Sequence, residues 1–135
     1  MNLETLQRLC RRLPDVTEDI KWDHDLCFCV GGRMFAIVSL EPPHTLAFKC
    51  TPEDFGELIE RDGIIPAPYL ARAMWVQEQN LGQTLDAKEV ERLLQTSYEL
   101  VSAKLPKRLR PSSRAAGPAS RRPRNAPAAA RRRRR

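Results

Sequence analysis

The sequence predicts an α+β fold: a two-layer body whose antiparallel sheet carries helices on one face, in the order α-β3-α-β-α, followed by a disordered C-terminal tail. Three observations predict it. Apolar residues recur at helical spacing near residues 3–13, 55–59 and 90–105, whereas residues 19–49 carry the period of two that strands impose. The pair Gly31 and Gly32 divides that alternating stretch in the manner of a tight antiparallel hairpin. Beyond Pro106 only Leu109 remains as a sizeable apolar side chain, so nothing there offsets the entropy of ordering the chain. The expected division is a body of residues 1–106 and an Arg/Pro/Ala-rich tail of residues 107–135.

Asn2 is suited to cap a first helix whose Leu3, Leu6, Cys10 and Leu13 share a face, and Pro14 ends it. Leu26, Phe28 and Val30, alternating with Cys27 and Cys29, make the first strand. A primed turn needs positive φ at both central positions, which Gly31 and Gly32 reach without steric cost. Residues 33–40 form the second strand, Pro42 and Pro43 break it, and residues 45–49 form the third. Thr51, Pro52, Glu53 and Asp54 open a helix, because the hydroxyl accepts from the backbone, proline fits the first turn and carboxylates meet the positive end of the dipole. Phe55, Leu58 and Ile59 face inward until Gly63 stops it. Residues 64–69 are too rich in proline for regular structure, and residues 74–79 read as a short strand. Asp86 and Glu89 are an acidic capping box for the longest helix, whose Val90, Leu94, Ser97, Val101 and Leu105 share one face.

Charge divides the chain more sharply than structure does. Of 23 basic residues, 13 lie in residues 104–135 with no acidic neighbour; residues 1–103 hold the other 10 and all 17 acidic ones, a net −7 against +13. A polyanion is drawn to the tail and, on average, repelled by the body. The tail cations Lys104, Lys107, Arg108, Arg110, Arg121, Arg122, Arg124, Arg131, Arg132, Arg133, Arg134 and Arg135 are therefore candidate phosphate contacts. In the body, Lys21, Arg33 at the hairpin tip and Lys49 are the corresponding candidates. Unstructured guanidinium groups release counterions without reading bases, and about six engaged phosphates give a log-log salt slope of roughly −5.

Other function classes find little support. No run approaches the roughly 18 apolar residues of a membrane span, and Arg8, Arg11 and Arg12 stand where a signal peptide needs an apolar stretch. A cytoplasmic protein with four reduced cysteines, Cys10, Cys27, Cys29 and Cys50, is the expectation. Cys27 and Cys29 share one side of a strand near His24, but a zinc site would need Cys50 or His44 as distant ligands, so no metal and no cofactor are expected. The thiols read instead as semi-exposed on the solvent face. No nucleophile elbow, phosphate loop or metalloprotease motif is present, which points to a non-enzyme. Trp22, Tyr69, Trp75 and Tyr98 are read as core aromatics.

Six blocks in order then carry a resemblance: Ile20-Lys21-Trp22, residues 28–36, residues 48–52, residues 66–70, Trp75-Val76 and residues 97–106. Together they resemble the YjbR/MmcQ family. That resemblance implies an α+β fold likened to bacterial frataxin (CyaY-like) and to type III secretion chaperones, with a "double wing" arrangement behind the family's DNA-binding label. The chain departs from the family pattern at Asp23 after Trp22, at Arg33 in place of the hairpin lysine, and at Ala71, Arg72 and Met74. The expected function is sequence-nonspecific DNA binding through the basic tail. The alternative is a chaperone-like adaptor that receives a protein partner, with a tail that is idle or shields the body.

Overall fold

Asn2 caps the first helix as its side chain suggests. Its Oδ1 accepts from the Thr5 amide at 2.8 Å, and α1 runs Leu3–Arg11. In this computed structural model, which describes residues 1–111, there follow β1 (Val16–Lys21), β2 (Asp25–Val30), β3 (Arg33–Ser39), β4 (Leu46–Lys49), α2 (Pro52–Leu58), β5 (Ile64–Pro66), β6 (Trp75–Glu78) and α3 (Ala87–Ala103). The expected disorder of residues 112–135, with Arg114 and the eight arginines from Arg121 onward, lies outside the described residues.

The fold class holds and the strand count changes. One antiparallel sheet has six strands in the order β1-β2-β3-β4-β6-β5, two more than expected. Strand β1 escaped because Thr17, Glu18, Asp19 and Lys21 are polar and the strand sits at an edge, where only pairing with β2 identifies it. Strand β5 is the opposite edge, three residues long, and Pro66 is tolerated there because an edge leaves one side of the ladder unpaired. Helix α2 ends at Leu58, short of Gly63; residues 59–62 continue as turns. Past Pro106 the chain makes one 3-10 turn, Lys107–Leu109, and Arg110 folds back to donate to the Ala103 and Leu105 carbonyls, so order reaches beyond the expected boundary.

The helices cover one face. Helix α3 lies across β2, β3 and β4, α1 against β1, and α2 against β5 and β6. Between the layers Leu6, Phe28, Phe35, Val38, Phe48 and Leu94 are sealed from solvent in a single core, each side chain contributing about 1.5–3 kcal/mol. On the other face a smaller cluster joins Ala47, Ala67 and Trp75, with Met34, Ile37 and Leu70 at its margin.

Three contacts fix the sheet to what surrounds it. Ser97, on the inner side of α3, donates to the Phe35 carbonyl at 2.6 Å and accepts from the Lys49 amide at 3.0 Å, bridging β3 and β4 beyond their last pair. Gly31 and Gly32 take φ of +58° and +82°, and a Cβ on Gly31 would stand 2.6 Å from Leu105, so the hairpin tucks under the end of α3. Glu78, fully buried, accepts from the amides of Gly82, Thr84 and Leu85 at 3.2, 2.9 and 2.8 Å, which orders the connection into α3.

Candidate nucleic-acid interface

Strand directions give the sheet two ends. Val30 pairs with Arg33 and Lys49 with Trp75 at one of them, here the Gly31 end. Lys21 pairs with Asp25, and Leu46 with Glu78, at the other, here the Trp22 end. The connection between β5 and β6, residues 67–74, closes the Gly31 end beside β4, and α3 delivers the C-terminal residues there.

Exposed cations collect at the Gly31 end. Arg33 follows the hairpin, Arg72 lies in a 3-10 turn over Ala71–Ala73, Lys104 caps α3, and Lys107 and Arg108 follow it; all five are exposed. Among the described residues none of these five enters an ion pair, whereas Arg11, Arg12, Arg61 and Arg92 are paired with Glu18, Glu91, Glu89 and Asp54. Asp15 before β1 and Glu53 at the start of α2 are acidic neighbours of that end. Burial first, and the nearby Lys104 charge second, hold the Lys49 ammonium below the ordinary lysine value, a sign that the cations converge.

Two expected phosphate contacts have structural partners instead. Lys49 Nζ donates to the Ala73 carbonyl and ties residues 71–73 to β4. Arg110 satisfies carbonyls at the C-terminal end of α3, where a cation is favoured by the dipole. Lys21 does not join the group: it sits at the Trp22 end, the length of β2 and roughly 17 Å from Arg33. The remaining candidates, Arg121, Arg122, Arg124 and Arg131 to Arg135, lie outside the described residues. In the sequence Arg72 stands out only as a departure from the family pattern, not as a phosphate contact, because nothing local shows that its connection lies at the same end of the sheet as Arg33.

The aromatics divide in an unexpected way. Trp75 and Tyr98 are buried as expected; the Tyr98 ring meets Phe35 edge-on at 5.4 Å and its hydroxyl donates to the Pro14 carbonyl. Trp22 and Tyr69 are not core. Trp22 is 62% exposed in the turn between β1 and β2, Tyr69 stands wholly in solvent in the connection between β5 and β6, and both take left-handed φ, 52° and 67°. The thiols also differ from expectation. Cys27 and Cys29 are buried rather than semi-exposed, on a strand paired on both sides by β1 and β3. Burial pushes Cys10 up to about 12 and Cys27 and Cys50 to about 11, with Cys29 raised as well. His44 contacts the Ser39 carbonyl at 2.8 Å, and Cys50 lies at the sheet end opposite His24. Among the described residues no three His, Cys, Asp or Glu side chains converge as a metal site. Among the described residues, too, no helix is long and apolar enough to cross a membrane.

The fold has solved counterparts. The crystal structure of Deinococcus radiodurans protein DR2400, described with a DUF419 domain, is 31% identical, superimposes with a TM-score of 0.71, and the match covers 87% of this chain and 89% of that one. A Pseudomonas syringae protein shares the fold at 22% identity and a TM-score of 0.63, over 74% of this chain and 98% of its own. No curated protein matches. The family model described as YjbR matches residues 11–100, a stretch from the end of α1 almost to the end of α3 that contains the whole six-stranded sheet. This chain is a member of the YjbR family.

Proposed function

We propose that this protein is a non-enzymatic, cytoplasmic DNA-binding protein that contacts phosphates without reading sequence, through its basic C-terminal segment and the Gly31 end of its sheet. The observation that carries this reading is convergence. Five exposed cations without an ion-pair partner among the described residues gather where the described chain ends, and the sequence continues from there with nine further arginines and no acid. Guanidinium and ammonium groups in such a cluster neutralise phosphates and release counterions, while nothing in the group is held in a groove register that would read bases.

A fluorescence anisotropy titration of labelled DNA with the full chain, repeated on the chain cut after Pro111, tests the reading. Affinity is expected to fall steeply with salt and to drop on truncation; equal affinity of the two chains removes the role of residues 112–135. A second reading, an adaptor that receives a protein partner, is favoured by the helix-free sheet face around Met34, Ile37 and Trp75. Under it, partners persist on the truncated chain at moderate salt and DNA does not bind.

A further inference from the structure

The chain has two tyrosines, treated in opposite ways. Tyr98 is enclosed and hydrogen-bonded, whereas Tyr69 presents its entire ring to water from a backbone with φ of 67°, a region that non-glycine residues seldom occupy. Neither its exposure nor its backbone helps the domain fold: an apolar ring left in water forgoes burial, and left-handed geometry adds strain.

The loop that carries it is nevertheless tied down by hydrogen bonds. The Leu70 amide bonds to the Ala67 carbonyl at 3.1 Å, Ala73 to Leu70 at 3.1 Å, Met74 to Ala71 at 3.0 Å, and Cys50 to Met74 at 2.8 Å. Ala67 and Leu70, on either side of Tyr69, pack with Trp75. Lys49 Nζ closes the loop from β4. An aromatic ring is thus held outward on a pinned loop, so little freedom is forfeited when something docks on it.

Charge says what docks. Arg72 lies three residues along the same loop, and Arg33 and Lys104 stand at the same end of the sheet. A ring on the same loop as Arg72, at the same end of the sheet as Arg33 and Lys104, fits a partner that offers flat π-faces and phosphates together. In a duplex the base faces are stacked on one another and closed to a rigid external ring; in a single strand they are open.

We infer that Tyr69 is a base-stacking platform within the basic end of the sheet, and that the preferred partner is accordingly single-stranded DNA rather than duplex. This rests on the nucleic-acid reading above and names its substrate class. Phosphate contacts alone do not distinguish the two forms, and Tyr69 does.

The test is anisotropy with the full chain, using a labelled single strand of mixed sequence and the duplex formed from it. The wild type is expected to bind the single strand more tightly. Tyr69→Ala is expected to weaken single-strand binding by about 5- to 150-fold, the range for removing one stacked base, and to leave duplex binding unchanged. Tyr69→Phe keeps the ring and is expected to retain affinity, which separates stacking from a role of the hydroxyl. If DNA binds but Tyr69→Ala changes nothing, or weakens both forms equally, the stacking inference is overturned and the phosphate-binding reading stands. If neither form binds the wild type, the broader reading fails and the inference falls with it.

Discussion

The two ends of the sheet are assembled from the same parts, a hairpin turn and a loop, yet Glu78 at one and the cation cluster at the other are treated in opposite ways. At the Trp22 end the decisive charge is Glu78, sealed in the protein and satisfied by three backbone amides; it organises a connection and meets no solvent. At the Gly31 end Arg33, Arg72 and Lys104 are exposed and without ion-pair partners among the described residues. The difference teaches that a charge is structural when the backbone has already answered it and available when nothing has. Lys49 and Arg110 mark the boundary, since they sit among the available cations while each already donates to carbonyls of its own chain.

Glu78→Ala should have the largest effect. It removes the acceptor of one buried and two part-buried amides, and at about 1–3 kcal/mol for a buried unsatisfied group, with less for the other two, a destabilisation of about 3 kcal/mol is expected in urea denaturation. At a temperature where the variant is folded, DNA affinity should match the wild type; a binding defect there would break the separation of the ends. Ser97→Ala should cost less, about 2 kcal/mol, because it leaves the Phe35 carbonyl and the Lys49 amide without their bridge. A cost near zero would mean that β3 and β4 need no link at that point.

The thiols should have the smallest effect at neutral pH and belong to neither end's function. Each is raised above its ordinary value of 9.0 by burial, so it favours the fold while protonated. That contribution is complete below pH 9 and is lost as pH rises through about 11 for Cys27 and Cys50 and about 12 for Cys10. Thermal unfolding followed from pH 8 upward should therefore show falling stability above pH 9. At pH 8 a thiol reagent should titrate four cysteines in the denatured chain and almost none in the native one. Rapid native reaction would contradict their burial.

Much of the fold was legible because its strongest signals are local. Asn2, Thr51 and the Asp86–Glu89 box cap their helices through their own side chains, and Gly31 and Gly32 encode a turn only glycine makes cheaply. The edge strands were not legible, since β1 and β5 are defined by neighbours rather than by their own alternation. The same limit applied to the site. The positive charge of the C-terminal segment is plain in composition, but that Arg33 and Arg72 meet at one end while Lys21 stands at the other depends on strand direction, which pairing decides. Tyr69 departs from expectation for a related reason. Scattered aromatics in a small domain are usually core, and only the loop's hydrogen bonds turn this one outward.

The most direct test of the central claim is the salt dependence of DNA binding by the full chain carrying Arg33→Gln, Arg72→Gln and Lys104→Gln together, set beside Lys21→Gln alone. Removing one cation from a phosphate lowers the magnitude of the log-log slope by about 0.9, so the triple variant is expected to fall by about 2 to 3 and Lys21→Gln to leave the slope where it was. Equal slopes for the wild type and the triple variant, or a drop with Lys21→Gln as large as one of the three, would contradict the assignment of DNA binding to the Gly31 end.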